Sequence, residues 1–277
     1  MKLETETLLE NLDDLLVPLT FDGDKTPLVL VHPIAGTITG YVALSQLIED
    51  RPVYGIEAPA ALLAESGMSF EKLAATYLQG IERTLGASAF QLGGWSLGGV
   101  VAYEMSQQLR SAGRDVGPLV MIDSFIPEKM AEGQRRGSAF WFLKDVEAMC
   151  KTTFEVTLEE AKTLPSQDLI AKVMKAVEAL PSANQARTSA LVRTLVGSYF
   201  ALRDLANRYQ PKAFAGKAVL LQAAESLDSP PLNTELNGWQ KLIASLTVRQ
   251  VPGNHFSMTK PPQVETLAEA LKTALNA

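Results

Sequence analysis

The stretch Phe90-Gln91-Leu92-Gly93-Gly94-Trp95-Ser96-Leu97-Gly98-Gly99 organises this chain. Residues 89–92 are typical of the end of a short buried strand, and residues 100–112 are compatible with a helix. Between them the sequence fits the G-x-S-x-G pattern of a nucleophile elbow, in which glycines flank the serine because a sharp strand-to-helix turn has no room for side chains. The pattern predicts that the Ser96 hydroxyl stands above a sheet and that the following helix directs its first N–H groups at an oxyanion. The alternative is a glycine-rich loop whose serine caps a helix.

Length and composition indicate an ordinary globular chain that lacks the positive charge needed to bind an anionic partner. Its 277 residues are enough for one large α/β domain or two small ones, and 47% of them are hydrophobic. The net charge of −6 argues against a nucleic acid or an anionic membrane as partner. There is no apolar run of membrane-spanning length, and the acidic N-terminal residues are wrong for a signal peptide.

The cysteine and histidine content indicates the cellular compartment and limits the metal chemistry that the chain can support. Cys150 is the single cysteine, so no internal disulfide forms and a reducing, cytoplasmic location is expected. Its amphipathic helical surroundings favour a buried apolar thiol over a reactive one. With only two histidines besides this cysteine, we expect no metal site.

Short apolar runs alternate with helical patterns along most of the chain. This rhythm predicts a mostly parallel sheet with helices on both faces, that is, an α/β fold. The other predicted strands are 28–31, 53–56, 118–122, 218–221 and 246–251, and the clearest helices are 69–85 and 262–275.

The rhythm breaks between residues 125 and 216, where only helical patterns occur. They cover about 140–151, 158–163, 166–180 and 184–209. A structureless loop of this length is implausible, so we expect a helical insertion. Residues 5–17 place leucines at helical spacing, which predicts either an amphipathic helix or the tail of a linker.

A serine nucleophile needs a base and a group that orients the base. His255 follows the last predicted strand and so fits the chain order serine, acid, histidine, whereas His32 precedes the elbow and is the weaker candidate. For the acid, Asp123 follows the strand after the elbow strand, and Glu225 and Asp228 follow the next one. Both places lie at the carboxyl edge of the sheet, so residue spacing leaves the acid open.

The chain resembles the type I thioesterase domains that end nonribosomal peptide synthetases and polyketide synthases. The resemblance runs from about residue 16 to residue 274. Its marks are Leu16-Val17-Pro18-Leu19, Leu30-Val31-His32-Pro33-Ile34-Ala35-Gly36, Val53-Tyr54-Gly55-Ile56-Glu57-Ala58-Pro59, Gly94-Trp95-Ser96-Leu97-Gly98-Gly99, Met121-Ile122-Asp123-Ser124 and Pro252-Gly253-Asn254-His255-Phe256. It implies an α/β-hydrolase fold with a helical lid over about 125–216, in a domain 16–277 preceded by a linker or N-terminal segment 1–15.

The resemblance also implies the chemistry. In that family the acid follows the strand after the elbow strand, which gives a triad of Ser96, Asp123 and His255. The backbone N–H groups of Leu97 and of Ile34 or Ala35 are the expected oxyanion hole. The expected substrate is an acyl, peptidyl or polyketide chain carried on the phosphopantetheine of an upstream carrier domain, with no cofactor of the enzyme's own. Release is by hydrolysis or by macrocyclisation.

Three other functions fit the same residues. A stand-alone type II editing thioesterase acts on short misprimed acyl groups, although such enzymes more often carry His before the serine. A general carboxylesterase hydrolyses soluble esters without a carrier protein. A non-catalytic binding protein of this fold typically lacks members of the triad, and none is missing here. We also expect the chain to be a fragment of a longer synthase.

Overall fold

A seven-stranded sheet forms the centre of the computed structural model, which describes residues 15–86, 88–114, 117–126, 139–140, 142–144, 146–147, 150, 152–179, 182–225 and 236–276. The sheet order is β1-β3-β2-β4-β5-β6-β7, and β1 alone among these strands runs antiparallel to its neighbour. The strands are β1 (Leu16–Thr20), β2 (Leu28–Val31), β3 (Val53–Ile56), β4 (Gln91–Trp95), β5 (Leu119–Ile122), β6 (Phe214–Ala223) and β7 (Ile243–Val251).

Helices alternate with these strands along the chain. They are α1 (Val42–Ser45), α2 (Ala60–Leu63), α3 (Phe70–Leu85), α4 (Leu97–Ser111), α5 (Leu158–Thr163), α6 (Ser166–Glu178), α7 (Ser182–Arg208) and α8 (Gln263–Leu275), with 3₁₀ turns at Thr39–Tyr41 and Leu236–Lys241. None of the helices within the described ranges is long and apolar enough to cross a bilayer.

The central strands are buried on both faces, as parallel strands between two helical layers must be. In β5, Leu119 and Met121 pack with α3 and α4, while Val120 and Ile122 pack with α8. Because β2, β4 and β5 are parallel, they end at one edge of the sheet, where Val31 pairs with Gly94 and Trp95 pairs with Ile122. The residues that follow these strands therefore share that edge.

A third apolar cluster lies in the chain between β5 and β6, and we call it the insertion core. It joins buried residues between Ala139 and Val177 to the middle of α7, including Leu195, Val196 and Tyr199. Further along the same helix, Leu202, Leu205 and Ala206 belong to the core on the α3–α4 face of the sheet. The helix α7 therefore connects the two cores, and the helices predicted over 158–163, 166–180 and 184–209 are confirmed to within two residues.

Two sequence predictions are wrong in detail. The pattern over 5–17 predicts an amphipathic helix or the tail of a linker, but Leu16 and Val17 form β1, because this segment pairs along the edge of the sheet with β3. Residues 5–14 lie outside the described ranges. The elbow helix begins at Leu97 rather than Val100, and its strand continues to Trp95. The reversal of the chain is thus concentrated at Ser96.

Candidate active site

Ser96 lies between strand β4 and helix α4 in a backbone conformation that side chains rarely adopt. Its φ is 58° and its ψ is −125°, outside the regions that non-glycine residues normally occupy. Such a conformation costs about 1–3 kcal/mol and persists only where the surrounding structure enforces it. Here the Ser96 N–H donates to the carbonyl oxygen of Ile122 at 2.8 Å, which ties the turn to the neighbouring strand. Ser96 itself remains half-buried.

The glycines of the elbow are required by close backbone contacts. A Cβ atom on Gly94 would lie 2.3 Å from the carbonyl carbon of Gly98, so the strand and the helix touch without side chains between them. A Cβ atom on Gly98 would lie 2.1 Å from the carbonyl oxygen of Val31 and 2.7 Å from that of His32. The first turn of α4 therefore packs directly against the end of β2.

Asp123 and His255 form a hydrogen-bonded pair at the same edge of the sheet. The Asp123 Oδ2 lies 2.7 Å from the His255 Nδ1, and the Asp123 Oδ1 accepts a hydrogen bond from the Ala223 N–H at 3.1 Å. Asp123 is buried and has a φ of 43°. A carboxylate only accepts, so the Nδ1 of a neutral His255 carries the proton and its Nε2 is the basic nitrogen.

The loop that carries His255 is held by its own side chains. The Asn254 Oδ1 accepts the N–H groups of Phe256 and Ser257, both at 3.0 Å, and the Ser257 Oγ accepts the Asn254 N–H at 2.8 Å. The imidazole of His255 packs beside the ring of Trp95, with 5.2 Å between the ring centroids. This contact places His255 against the residue that precedes Ser96.

A turn over residues 33–36 follows β2 beside the start of α4. It is closed by the Gly36 N–H, which donates to the Pro33 carbonyl oxygen at 2.9 Å. The predicted oxyanion residues Ile34 and Ala35 are its two central residues, and the Leu97 N–H is the first of α4, where no acceptor exists within the helix. Because Gly98 touches the carbonyl oxygen of His32, the structure brings the turn and the helix start together.

His32 is fully buried and both of its ring nitrogens are occupied. Its Nδ1 lies 2.8 Å from the Pro33 carbonyl oxygen, which can only accept, so Nδ1 donates. Its Nε2 lies 2.7 Å from the Tyr77 hydroxyl and accepts from it. Burial lowers the pKa of His32 to about 4, the hydrogen bond to Pro33 opposing this shift. This ring is a neutral structural group, whereas His255 has a side chain that is 17% exposed.

The other candidate residues include Glu225, Asp228 and Cys150. Glu225 is exposed, and its backbone N–H donates to the Gly253 carbonyl oxygen at 2.9 Å. Asp228 lies outside the described residues. Burial raises the pKa of the Cys150 thiol, which is half-buried against the insertion core. In the described part of the chain, no three His, Cys, Asp or Glu side chains come together in an arrangement that could hold a metal ion.

Sequence reasoning missed the residue that fixes the end of the elbow strand. The Tyr41 hydroxyl accepts the Trp95 N–H at 2.7 Å and donates to the Val31 carbonyl oxygen at 2.5 Å. It is fully buried between β2 and β4, where the two strands stop pairing directly. A lone tyrosine at the end of a short 3₁₀ turn carries no motif, so the sequence offered no signal for this role.

Of the described aromatic side chains of the insertion, some are buried in its core and others are only partly covered. Phe142 and Tyr199 are buried in the insertion core and stack with 4.4 Å between their ring centroids. Phe140 and Phe200 are half-buried against the same core, and Trp141 lies outside the described residues.

Comparison with known proteins gives a consistent result. A family model described as "Thioesterase domain" matches residues 26–275. The non-reducing polyketide synthase stmB of Aspergillus ustus is 28% identical over 271 residues, which are 91% of this chain and 13% of the synthase. The dimodular nonribosomal peptide synthase of Bacillus subtilis (strain 168) is 38% identical over 124 residues, 43% of this chain and 5% of that protein. The chain thus spans a small part of these relatives.

Among solved structures, the NocB thioesterase domain from the nocardicin cluster resembles this chain along nearly its whole length. It has a TM-score of 0.67 and 22% sequence identity, and the match covers 95% of this chain and 99% of that domain. Together with the mostly parallel sheet, this likeness confirms the α/β-hydrolase fold predicted from the sequence.

Replacing Gly98 by alanine is expected to destabilise the protein by about 3 kcal/mol, because the added Cβ would overlap backbone oxygens that have no room to withdraw. The control is Gly197→Ala, at an exposed position of α7 with nothing within 4 Å of the added atom; it should raise stability by up to about 1 kcal/mol. Urea unfolding measures both variants. Equal stabilities of Gly98→Ala and the wild type would contradict the close packing of β2 and α4.

His32 predicts an acid-sensitive stability. Between pH 6.5 and 4 the unfolded histidine binds a proton that the buried ring does not, so the free energy of unfolding falls as the pH falls through this window. At pH 4.5 the loss reaches about 2–3 kcal/mol. Urea unfolding across this pH range should show a weaker pH dependence for His32→Gln, which carries no titrating ring. Parallel curves for the variant and the wild type would refute this prediction.

Proposed function

Since the chain belongs to the thioesterase domain family, we propose that it releases the finished chain of a polyketide or nonribosomal peptide synthase. The substrate is an acyl, peptidyl or polyketide chain held as a thioester on the phosphopantetheine of a carrier domain. The observation that carries the proposal is the 2.7 Å hydrogen bond between His255 and Asp123 at the sheet edge where β4 delivers Ser96. Family membership confirms the resemblance noted in the sequence, and the relatives named as synthases support the carrier-bound substrate.

The first chemical step forms an acyl-enzyme. The Nε2 of His255 takes the proton of the Ser96 hydroxyl while the Ser96 Oγ attacks the thioester carbonyl carbon. Asp123 holds the Nδ1–H, which fixes the tautomer and stabilises the imidazolium that forms. When the tetrahedral intermediate collapses, the carbon–sulfur bond breaks and His255 returns the proton to the phosphopantetheine sulfur. An ester on Ser96 remains.

The oxyanion of each tetrahedral intermediate is held by backbone N–H groups. The donors in this proposal are Leu97, at the positive end of the α4 dipole, and Ile34 or Ala35 in the 33–36 turn. The packing of Gly98 against β2 supports this assignment, because it fixes the distance between the two segments.

The second step releases the chain from Ser96. Water activated by His255 gives a free acid, whereas a hydroxyl or amine of the acyl chain gives a ring. In both cases the new nucleophile loses its proton to Nε2 and Ser96 regains it. The partner of the enzyme is the upstream carrier domain, and the chemistry requires no cofactor beyond the phosphopantetheine that carries the substrate.

Asp123→Asn is expected to lower kcat by roughly 10³–10⁴-fold, because asparagine favours the tautomer that protonates the wrong nitrogen of His255. Hydrolysis of an acyl N-acetylcysteamine thioester measures this effect. Glu225→Gln and Asp228→Asn are the matched controls, since both carboxylates are sequence alternatives for the acid, and both should stay within about threefold of the wild type. A large loss in either control together with a mild Asp123→Asn would reassign the acid.

Intact-protein mass spectrometry tests the substrate. After mixing with an acyl-loaded carrier domain, the wild type should gain the acyl mass and Ser96→Ala should not. Release from the carrier should exceed release from the free N-acetylcysteamine thioester by roughly tenfold or more, as carrier docking adds about 1.4 kcal/mol of binding energy for each tenfold. Equal rates on short soluble esters would indicate a carboxylesterase, and preference for acetyl groups an editing thioesterase. An acyl adduct on Ser96→Ala would exclude Ser96 as the nucleophile.

A further inference from the structure

Gly36, the last residue of the 33–36 turn, packs against helix α7. Its φ is +77°, and a Cβ atom built on it would lie 3.2 Å from the Ala58 Cβ and 3.3 Å from the Ser198 Cβ. The Leu202 Cδ1 lies 3.7 Å from the same point. The backbone of the turn is therefore wedged between the chain after β3 and one face of α7, with no gap for a larger neighbour.

The central residues of the turn depend on the same helix. Ile34 packs against both the sheet core and the insertion core, and Ala35 packs against the insertion core. The Gly36 carbonyl accepts the Ala58 N–H at 2.9 Å, which fixes the far end of the turn. The position of the Ile34 and Ala35 N–H groups is thus set on one side by β2 and on the other by α7.

Helix α7 is anchored just beyond this contact. Tyr209, which follows α7, donates its hydroxyl to the Glu104 Oε2 on α4 at 2.7 Å, and burial raises the pKa of Tyr209 so that the hydroxyl keeps its proton. Leu202 and Leu205 are buried in the core on the α3–α4 face. Ser198 is itself only 5% exposed and lies one helical turn before Leu202 on α7. Because Ser198 is buried, a larger side chain at this position cannot extend into solvent and would displace the backbone at Gly36.

We propose that Ser198 is a positioning residue for the reaction. Its small side chain permits the contact of α7 with Gly36, and this contact holds the Ile34 and Ala35 N–H groups at the distance from the Leu97 N–H that an oxyanion requires. Ser198 acts through the turn and does not touch the substrate. The inference rests on the proposed function for the assignment of the oxyanion donors.

Enlarging Ser198 should weaken transition-state binding and leave ground-state binding intact. A displacement of the turn by about 1 Å costs roughly 100-fold in rate by misplacing the donors. We therefore expect Ser198→Leu to lower kcat for an N-acetylcysteamine thioester roughly 10–100-fold with KM within about twofold. Ser198→Ala, which keeps the space, should stay within about threefold of the wild type.

The specific readout is the affinity for an alkyl boronic acid, which adds to a serine and places an oxygen where the oxyanion forms. Ser198→Leu should lower this affinity by the same factor as kcat/KM, while the Kd of a non-cleavable pantetheine thioether stays within about twofold. Ala161→Leu on α5 is the matched control, because it overpacks the insertion core from another helix. It should change the boronic acid affinity by less than about threefold. If Ser198→Leu does not fold, Ser198→Cys and Ser198→Val test the same prediction with smaller increases in side-chain volume.

The outcomes separate the two proposals. Unchanged boronic acid affinity along the Ser198 series would overturn the positioning role, as would an equal loss in Ser198→Ala or in Ala161→Leu. If the wild type binds the boronic acid but does not release a carrier-bound chain, the proposed function fails while the Ser198 series still reports on the oxyanion donors.

Discussion

The contact of Gly98 with the carbonyl oxygens of Val31 and His32 is the constraint on which the site depends. It holds the first turn of α4 against the end of β2, and the chain passes from β4 into the helix through the unusual backbone conformation of Ser96. Tyr41 completes the arrangement, since its hydroxyl satisfies the Trp95 N–H and the Val31 carbonyl oxygen where the strands part. The strained conformation of Ser96 is maintained by contacts between backbone atoms, which cannot relax as side chains can.

The two histidines of the chain show how burial assigns roles to one residue type. Both lie after a strand at the same sheet edge. The two ring nitrogens of His32 are hydrogen-bonded to Pro33 and Tyr77, and burial lowers its pKa so that the ring stays neutral. His255 instead has the Asp123 carboxyl group as its partner at one nitrogen and a partly exposed ring. Burial opposes a charge on His32, because the ring would carry it in an apolar interior, whereas His255 has a carboxyl partner and an open side.

The sequence predicted what depends on local pattern. The buried runs at 28–31 and 53–56 coincide with β2 and β3, and the order of strand ends predicts that His255 shares one sheet edge with Asp123 and Glu225. The choice of Asp123 among the acids comes from the family resemblance. The local pattern failed for β1, whose leucines suit a helix as well as an edge strand until β3 supplies a partner. The contacts of Tyr41 with Trp95 and of Ser198 with Gly36 were not predicted, because each joins residues more than 50 positions apart in the chain and leaves no periodic signal.

Helix α7 couples the insertion to the sheet, because it contributes side chains to the hydrophobic cores of both. The stretch 192–199 of the helix packs in the insertion core and the stretch 202–206 in the sheet core, and the Gly36 contact with Ser198 and Leu202 falls where the two meet. A side chain near this boundary cannot move without moving the 33–36 turn, because Ile34 is packed against both cores. The turn that carries the proposed oxyanion donors Ile34 and Ala35 is therefore tied through α7 to the packing of the insertion core as well as to the sheet.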